Sequence, residues 1–184
     1  MKQAIFLLAF LTIISFISAR AQTYSKGTNV ISAGIGLGSS IAGYSYGSQS
    51  PAISLQYERG LWDVGPGVIS LGGYAGFKSY KYSAGAYSAK WNYTIIGVRG
   101  AYHYTGLEVK KLDAYGGLML AYNILKYSDN YSGVSYTATG SYGSNLGLSV
   151  FIGGRYHFAD ALAGFIELGY GVAYLNLGLA FQFQ

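Results

Sequence analysis

Apolar residues recur at every second position through most of this chain. In the last segment Leu175, Leu177, Leu179, Phe181 and Phe183 share one face, and Asn176, Gly178, Ala180 and Gln182 share the other. Before it, Ile166, Leu168 and Tyr170 oppose Glu167, Gly169 and Gly171. Leu146, Leu148, Val150, Ile152, Tyr156 and Phe158 oppose Asn145, Gly147, Ser149, Gly153, Arg155 and His157. Leu118, Leu120, Tyr122 and Ile124 oppose Asp113, Tyr115, Gly117 and Asn123, and Ile96, Val98, Tyr102 and Tyr104 oppose Tyr93, Arg99 and His103. Nearer the start, Ile69, Leu71 and Phe77 oppose Ser70, Gly72, Tyr74, Gly76 and Lys78. Ile53, Leu55 and Tyr57 oppose Ser54, Gln56 and Glu58, and Ile31, Ala33, Ile35 and Leu37 oppose Ser32, Gly34, Gly36 and Gly38. A period of two is the signature of a β-strand with unlike faces, so the pattern predicts eight strands.

Which face points inward decides the fold class. A water-soluble sandwich or barrel buries its large aliphatic face and shows the other to solvent. That second face should then be rich in charge, yet Asp, Glu, Lys and Arg make up only 10% of the residues. It carries Gly, Ser, Asn and Tyr instead, which suit the crowded interior of a narrow barrel. The large aliphatics are left for lipid, where only a helix or a closed barrel satisfies every backbone polar group. No segment after the first reaches 18 continuous apolar residues, so no helical span is predicted. The expected fold is all-β, an eight-stranded antiparallel up-and-down transmembrane β-barrel.

The aromatic positions fit that reading. With the N-terminus in the periplasm, Tyr57, Tyr102, Tyr104, Tyr156, Phe158, Phe181 and Phe183 fall at the periplasmic rim, and Phe77, Tyr122 and Tyr170 at the other. Aromatic girdles at both interfaces are typical of such barrels. Segments 60–67, 105–111 and 159–162 read as short turns, whereas 39–50, 79–91 and 126–144 read as long surface loops.

The first segment has a different pattern. Lys2 is followed by an apolar run from Ala4 to Ile17, and Ala19-Arg20-Ala21 provides a small-x-small cleavage site. This is a secretory signal peptide over 1–21, with residues 22–184 as the barrel domain. Loss of Lys2 and Arg20 lowers the formal net charge from +5 to +3, too mild an excess to call for nucleic acid. The absence of Cys excludes disulfides and thiolate metal sites.

Few residues suggest chemistry. Gly43-Tyr44-Ser45-Tyr46-Gly47 matches G-x-S-x-G, but no helix follows it as a nucleophile elbow requires. Both histidines, His103 and His157, are expected at the opposite end. Glu58, His103, Asp113 and His157 project inward near one mouth, where they pack by hydrogen bonding or, if they converge, ligate a divalent cation. Packing is the expectation; no catalytic residue, metal or cofactor is assigned. If the tip of the last-but-one hairpin lies at Asp160–Leu162, Arg155 faces Glu167 across the pair. Glu58, Lys78 and Arg99 then extend a polar cluster that fills the lumen. A barrel of this kind implies a bacterium, in which the Asn92-Tyr93-Thr94 and Asn130-Tyr131-Ser132 sequons are expected to be incidental.

Several segments together resemble a known family. These are Glu58 to Gly67 leading into Leu71-Gly72-Gly73-Tyr74, Val98 to Tyr104, Asp113 to Leu118, and Gly178 to Phe183. The chain is similar over nearly its whole mature length to the small outer-membrane β-barrel ("porin family") proteins of Gram-negative bacteria. The resemblance implies an outer-membrane location, contact with outer-membrane lipid, and passage through periplasmic chaperones and the barrel-assembly machinery. It also implies that Leu179, Phe181 and Phe183 form the aromatic-ended assembly signal, here with Gln184 after Phe183. It implies no single activity and names no surface ligand: a structural or surface-interaction role and a narrow channel for small or apolar solutes both fit. The signal peptide gives a direct prediction. Intact-mass spectrometry of the purified protein should show a chain that starts at Gln22; retention of residues 1–21 would refute the cleavage site.

Overall fold

The computed structural model describes residues 24–39, 41, 48–107, 109, 111–130, 135–137 and 144–184. The signal segment and the Gly43–Gly47 motif lie outside the described residues. Eight long strands follow in order: β1 Asn29–Leu37, β2 Ala52–Val64, β3 Gly67–Ala84, β4 Tyr87–Tyr104, β5 Leu112–Asp129, β6 Asn145–His157, β7 Leu162–Tyr170 and β8 Leu175–Phe183. Each is antiparallel to its chain neighbours, and β1 closes the ring against β8 from Asn29–Phe183 to Leu37–Leu175. Two short pieces, Ser48–Gln49 and Ser135–Thr137, extend the sheet beside β3 and β5.

The faces are those the alternation predicts. Leu146, Ile152 and Val98 are 70%, 65% and 64% exposed, while Arg155 and Arg99 are 2% exposed. Outward aliphatics form a continuous belt: Ile35 lies between Leu177 and Ile53, and Leu120 lies between Val98 and Leu148. A surface this apolar is incompatible with a water-facing wall. In hydrocarbon it is favourable, and the closed ring leaves no backbone edge around most of its circumference. The outward aromatics gather at both ends of the belt. Tyr57, Tyr104, Tyr156 and Phe158 are exposed at the end with the short turns, and Phe77, Tyr122 and Tyr170 at the other.

Inside, the lumen is filled by three groups of residues. At the short-turn end Tyr24, Val30, Val68, Ala163, Phe165 and Ala180 form an apolar cluster. At the other end Tyr74, Tyr80, Tyr93, Ile95, Met119 and Leu125 form a second, with Ile41 packed on it. The ionic residues begin beside the first cluster, where Glu58 pairs with Val30, His103 with Val68 and Arg155 with Phe165. The Phe165 ring fits because β1 and β8 present glycine to it. A Cβ on Gly34 would lie 2.8 Å from Phe165 Cζ, and one on Gly178 would lie 2.6 Å from Phe165 Cε1. Alternating large and small residues in this way keeps a narrow interior closely packed.

Two connections are shorter than the sequence expectation, both for a reason of turn geometry, and the expected loop 126–144 gives up 126–129 to β5 and 135–137 to a short paired piece. Segment 79–91 is not a loop: β3 and β4 pair without interruption to Ala84–Tyr87. Gly85, at φ +59°, begins a two-residue turn whose twist matches the strands it joins. The connection at 60–67 is also shorter than expected, with Gly65 at φ +55° and Pro66 as its two residues. A bulge between Gly60 and Trp62 shifts the register there. The strand alternation is reset, and Trp62 faces outward, 51% exposed.

Val98 pairs with Leu120 on one side and Gly73 on the other, near the middle of the belt. Val98→Arg should therefore destabilise the barrel by about 2–4 kcal/mol in lipid, the cost of a guanidinium at the bilayer midplane. Reversible urea unfolding in phospholipid vesicles measures it; an unchanged midpoint would contradict the outward assignment.

Candidate functional site

The lumen holds an ionic network. Arg155 on β6 reaches Glu58 on β2 through Nη2, and its Nη1 lies 3.1 Å from Asp113 Oδ2 on β5. Arg99 on β4 donates from Nη2 to Glu167 Oε1 on β7 at 2.7 Å and from Nη1 to Gln56 on β2, and its Nε is 4.0 Å from Glu58. Glu167 also accepts from the Tyr115 hydroxyl at 3.0 Å and from Asn176 Nδ2 at 3.3 Å. His103 bonds Asp113 Oδ1 through Nδ1 at 2.8 Å and Ser70 Oγ through Nε2 at 3.0 Å. A carboxylate only accepts, so Nδ1 is the donor of the first bond.

Every ionised member is at most 6% exposed. Charges this deep are tolerated only when each has an opposite charge and hydrogen-bond partners. Three carboxylates face two guanidiniums and an imidazole, and with Ser70 and Asn176 the network touches seven of the eight strands. Aromatic rings close the cage: Arg99 lies 4.2 Å from the Phe151 ring and Arg155 lies 4.6 Å from that of Tyr115. Guanidiniums stack favourably on such faces, here where Arg99 Nε and Arg155 Nε have no hydrogen-bond acceptor.

Six of the expected lumen residues meet here: Glu58, Arg99, His103, Asp113, Arg155 and Glu167. Two do not. Lys78 sits nearer the loop end, where its ammonium donates to the Gly38 and Ser50 carbonyls at 3.2 Å each. His157 bonds Gln182 Oε1 through Nε2 at 3.0 Å, separate from the ions. The expected facing of Arg155 and Glu167 is also corrected. Arg155 stands opposite Phe165 and Glu167 opposite Gly153. The turn closes over Ala159–Leu162, with Leu162 N–H bonded back to the Ala159 carbonyl. A slip of two residues leaves both side chains inward, but each then finds its partner across the lumen.

Tyr24 is the member that alternation could not reveal. It precedes β1 and folds up into the short-turn mouth, its ring stacked on His103 with centroids 3.6 Å apart and planes 7° from parallel. The segment behind it is tied down by Gly27 N–H to the Gly60 carbonyl and by Gly60 N–H to the Thr28 carbonyl.

Two chemical readings of the site are tested by its geometry. Among the described residues, no three of the His, Asp and Glu side chains are placed to hold a metal ion. The chain Ser70–His103–Asp113 has the hydrogen-bond order of a hydrolase triad. However, Ser70 and His103 are fully buried, Ser70 Oγ is also within reach of Glu58 and the Ala101 carbonyl, and Tyr24 covers the imidazole. A nucleophile needs a space where a reacting atom can sit beside it, and the cavities described here are not lined by Ser70.

The comparisons with known proteins rest on shape. The N-terminal β-barrel domain of Pseudomonas aeruginosa OprF superposes with a TM-score of 0.50 at 14% identity, covering 86% of this chain and 98% of that one. The fold is that of the small outer-membrane β-barrels. Ail, the attachment invasion locus protein of Yersinia pestis, is similar at 13% identity with a TM-score of 0.49 in complex with the heparin analogue sucrose octasulfate and 0.48 alone. In both cases 86% of this chain and all of that one are covered. No family model and no curated protein matches the sequence.

The network gives a stability prediction. Arg155→Leu strands Glu58 and Asp113 together and should cost about 3–5 kcal/mol. The double variant Glu58→Gln with Arg155→Leu should recover part of that loss. Unfolding midpoints for the three chains decide it; equal midpoints for the native chain and Arg155→Leu would show that the pairing carries no weight.

Proposed function

We propose that this chain is an integral, non-enzymatic protein of the Gram-negative outer membrane, with a sealed lumen and a structural or surface-interaction role on its loop side. The observation that carries the reading is the buried ionic network spanning the lumen, packed against apolar clusters. A cavity of about 40 Å³ beside Arg99 and Glu167 is large enough for ordered water. An eight-stranded barrel is just wide enough to be filled by side chains, and the buried ionic and apolar clusters support that reading here.

The even strand count puts both termini on the short-turn side, the periplasmic side in this reading. Outer-membrane lipid contacts the belt. Leu179, Phe181 and Phe183, outward on β8, form the signal presented to the barrel-assembly machinery after escort by periplasmic chaperones. Phe181 and Phe183 lie with ring centroids 5.9 Å apart at the closing strand. Both histidines are bound within packed networks, which supports a structural role for them.

Two measurements test this reading. Reconstituted in planar bilayers, the protein should be electrically silent; steady single-channel steps would replace the sealed barrel with a narrow channel. A fluorophosphonate probe should leave Ser70 unlabelled in the folded protein; stoichiometric labelling at Ser70 would make the buried triad an active one.

A further inference from the structure

The barrel wall is interrupted on one side. β6 pairs with β5 as far as Asn145–Asn123, but with β7 only as far as Val150–Tyr170. Residues 145–149 therefore have a neighbouring strand on one side alone among the described residues. β7 stops because Gly171, at φ +125°, turns the chain toward β8, and Tyr174 N–H bonds the Leu37 carbonyl of β1. Gly171 packs so closely on Ser149 that a Cβ there would lie 2.1 Å from Ser149 Oγ. Beside that contact lies a cavity of about 210 Å³ lined by residues of both faces of the wall, with Ile41 against it.

The two faces of this cavity differ in chemistry. Its outer lip is Leu146, Leu148 and Tyr170, which are 70%, 64% and 61% exposed and belong to the lipid-facing belt. Its inner wall brings Asn123, Asn145 and Ser149 beside Val172. Asn123 is 5% exposed; its Nδ2 donates to Asn145 Oδ1 at 2.9 Å, and its own Oδ1 has no hydrogen-bond partner. No Lys, Arg, Asp or Glu lines the cavity. An unpaired strand edge beside exposed leucines at the outer rim of the belt leaves backbone groups to be covered where lipid begins, and an orphaned buried amide oxygen is costly. An apolar chain with an uncharged hydroxyl head suits both features. The tail covers the lip, and the head donates to the free acceptor.

We propose that this gap is a lateral port that admits a neutral single-chain amphiphile from the surrounding leaflet. The hydroxyl donates to Asn123 Oδ1, and the hydrocarbon chain leaves between Leu146, Leu148 and Tyr170. The inference rests on the membrane reading above and deepens it: the lumen is closed along its axis yet open sideways to lipid.

The test uses the full mature chain in phosphatidylcholine nanodiscs with a diazirine-bearing hexadecanol. Photolabelling should be saturable, concentrate on residues 145–149 and 170–172, and fall at least fivefold with excess unlabelled hexadecanol or in Asn123→Leu. Amide deuterium exchange on the native chain provides a second measurement that needs no variant. Amides of 145–149 should exchange fast without the alcohol and at least tenfold slower with it. Labelling that is even over all outward faces and is not competed away would overturn the port. So would amides of 145–149 that are already protected without alcohol, since the chain itself would then close the wall. A heat-dependent gel shift in the same sample keeps the two readings apart: if it is present while labelling is even, the port alone fails, and if the chain does not insert in nanodiscs, the port and the membrane reading both fail.

Discussion

Two guanidinium groups in a tube too narrow for bulk water set the terms for everything else in this molecule. Arg99 and Arg155 cannot be solvated where they are, so each must be matched by carboxylates brought from other strands. Glu58 serves both of them, which couples β2, β4 and β6 in one electrostatic unit. The outer surface contributes no such specificity, because lipid does not distinguish one leucine from another. The closed ring satisfies most of the backbone, the apolar belt matches the solvent, and the ionic network fixes how the strands stand relative to one another.

The faces of all eight strands were legible in the sequence, and the reason is physical. Lipid on one side and a crowded lumen on the other impose opposite demands at successive positions, so Leu177 and Asn176, or Val98 and Arg99, differ as strongly as adjacent residues can. Pairing partners were not legible to the same degree. Register depends on turn geometry, and a tip displaced by two residues leaves the pattern of faces intact while moving Arg155 from Glu167 to Phe165. Alternation also carries no information about contacts across the tube. Arg99–Glu167 and Arg155–Glu58 join strands that are not adjacent, and nothing in a list of neighbouring residues announces them.

The remaining differences have similar causes. Lys78 and His157 share the inward parity of the ionic residues, but they lie at other heights along the axis and find neutral partners there. Tyr24 belongs to no strand, so periodicity had no means of marking it as a plug. Segment 79–91 is polar and rich in Ser and Tyr, a composition that suits a loop as well as a ribbon. Gly85 decides between them by allowing a turn of two residues.

That turn shapes what the cell presents outward. Crossing a bilayer takes about 9–11 residues of tilted strand, whereas β3, β4 and β5 have 18 each. The surplus stands above the lipid as a three-stranded blade, its upper part held by continuous pairing between β3 and β4 and between β4 and β5. Among the described residues, that end of the barrel therefore carries a paired, tyrosine-studded fin and not a slack loop, with its backbone already ordered.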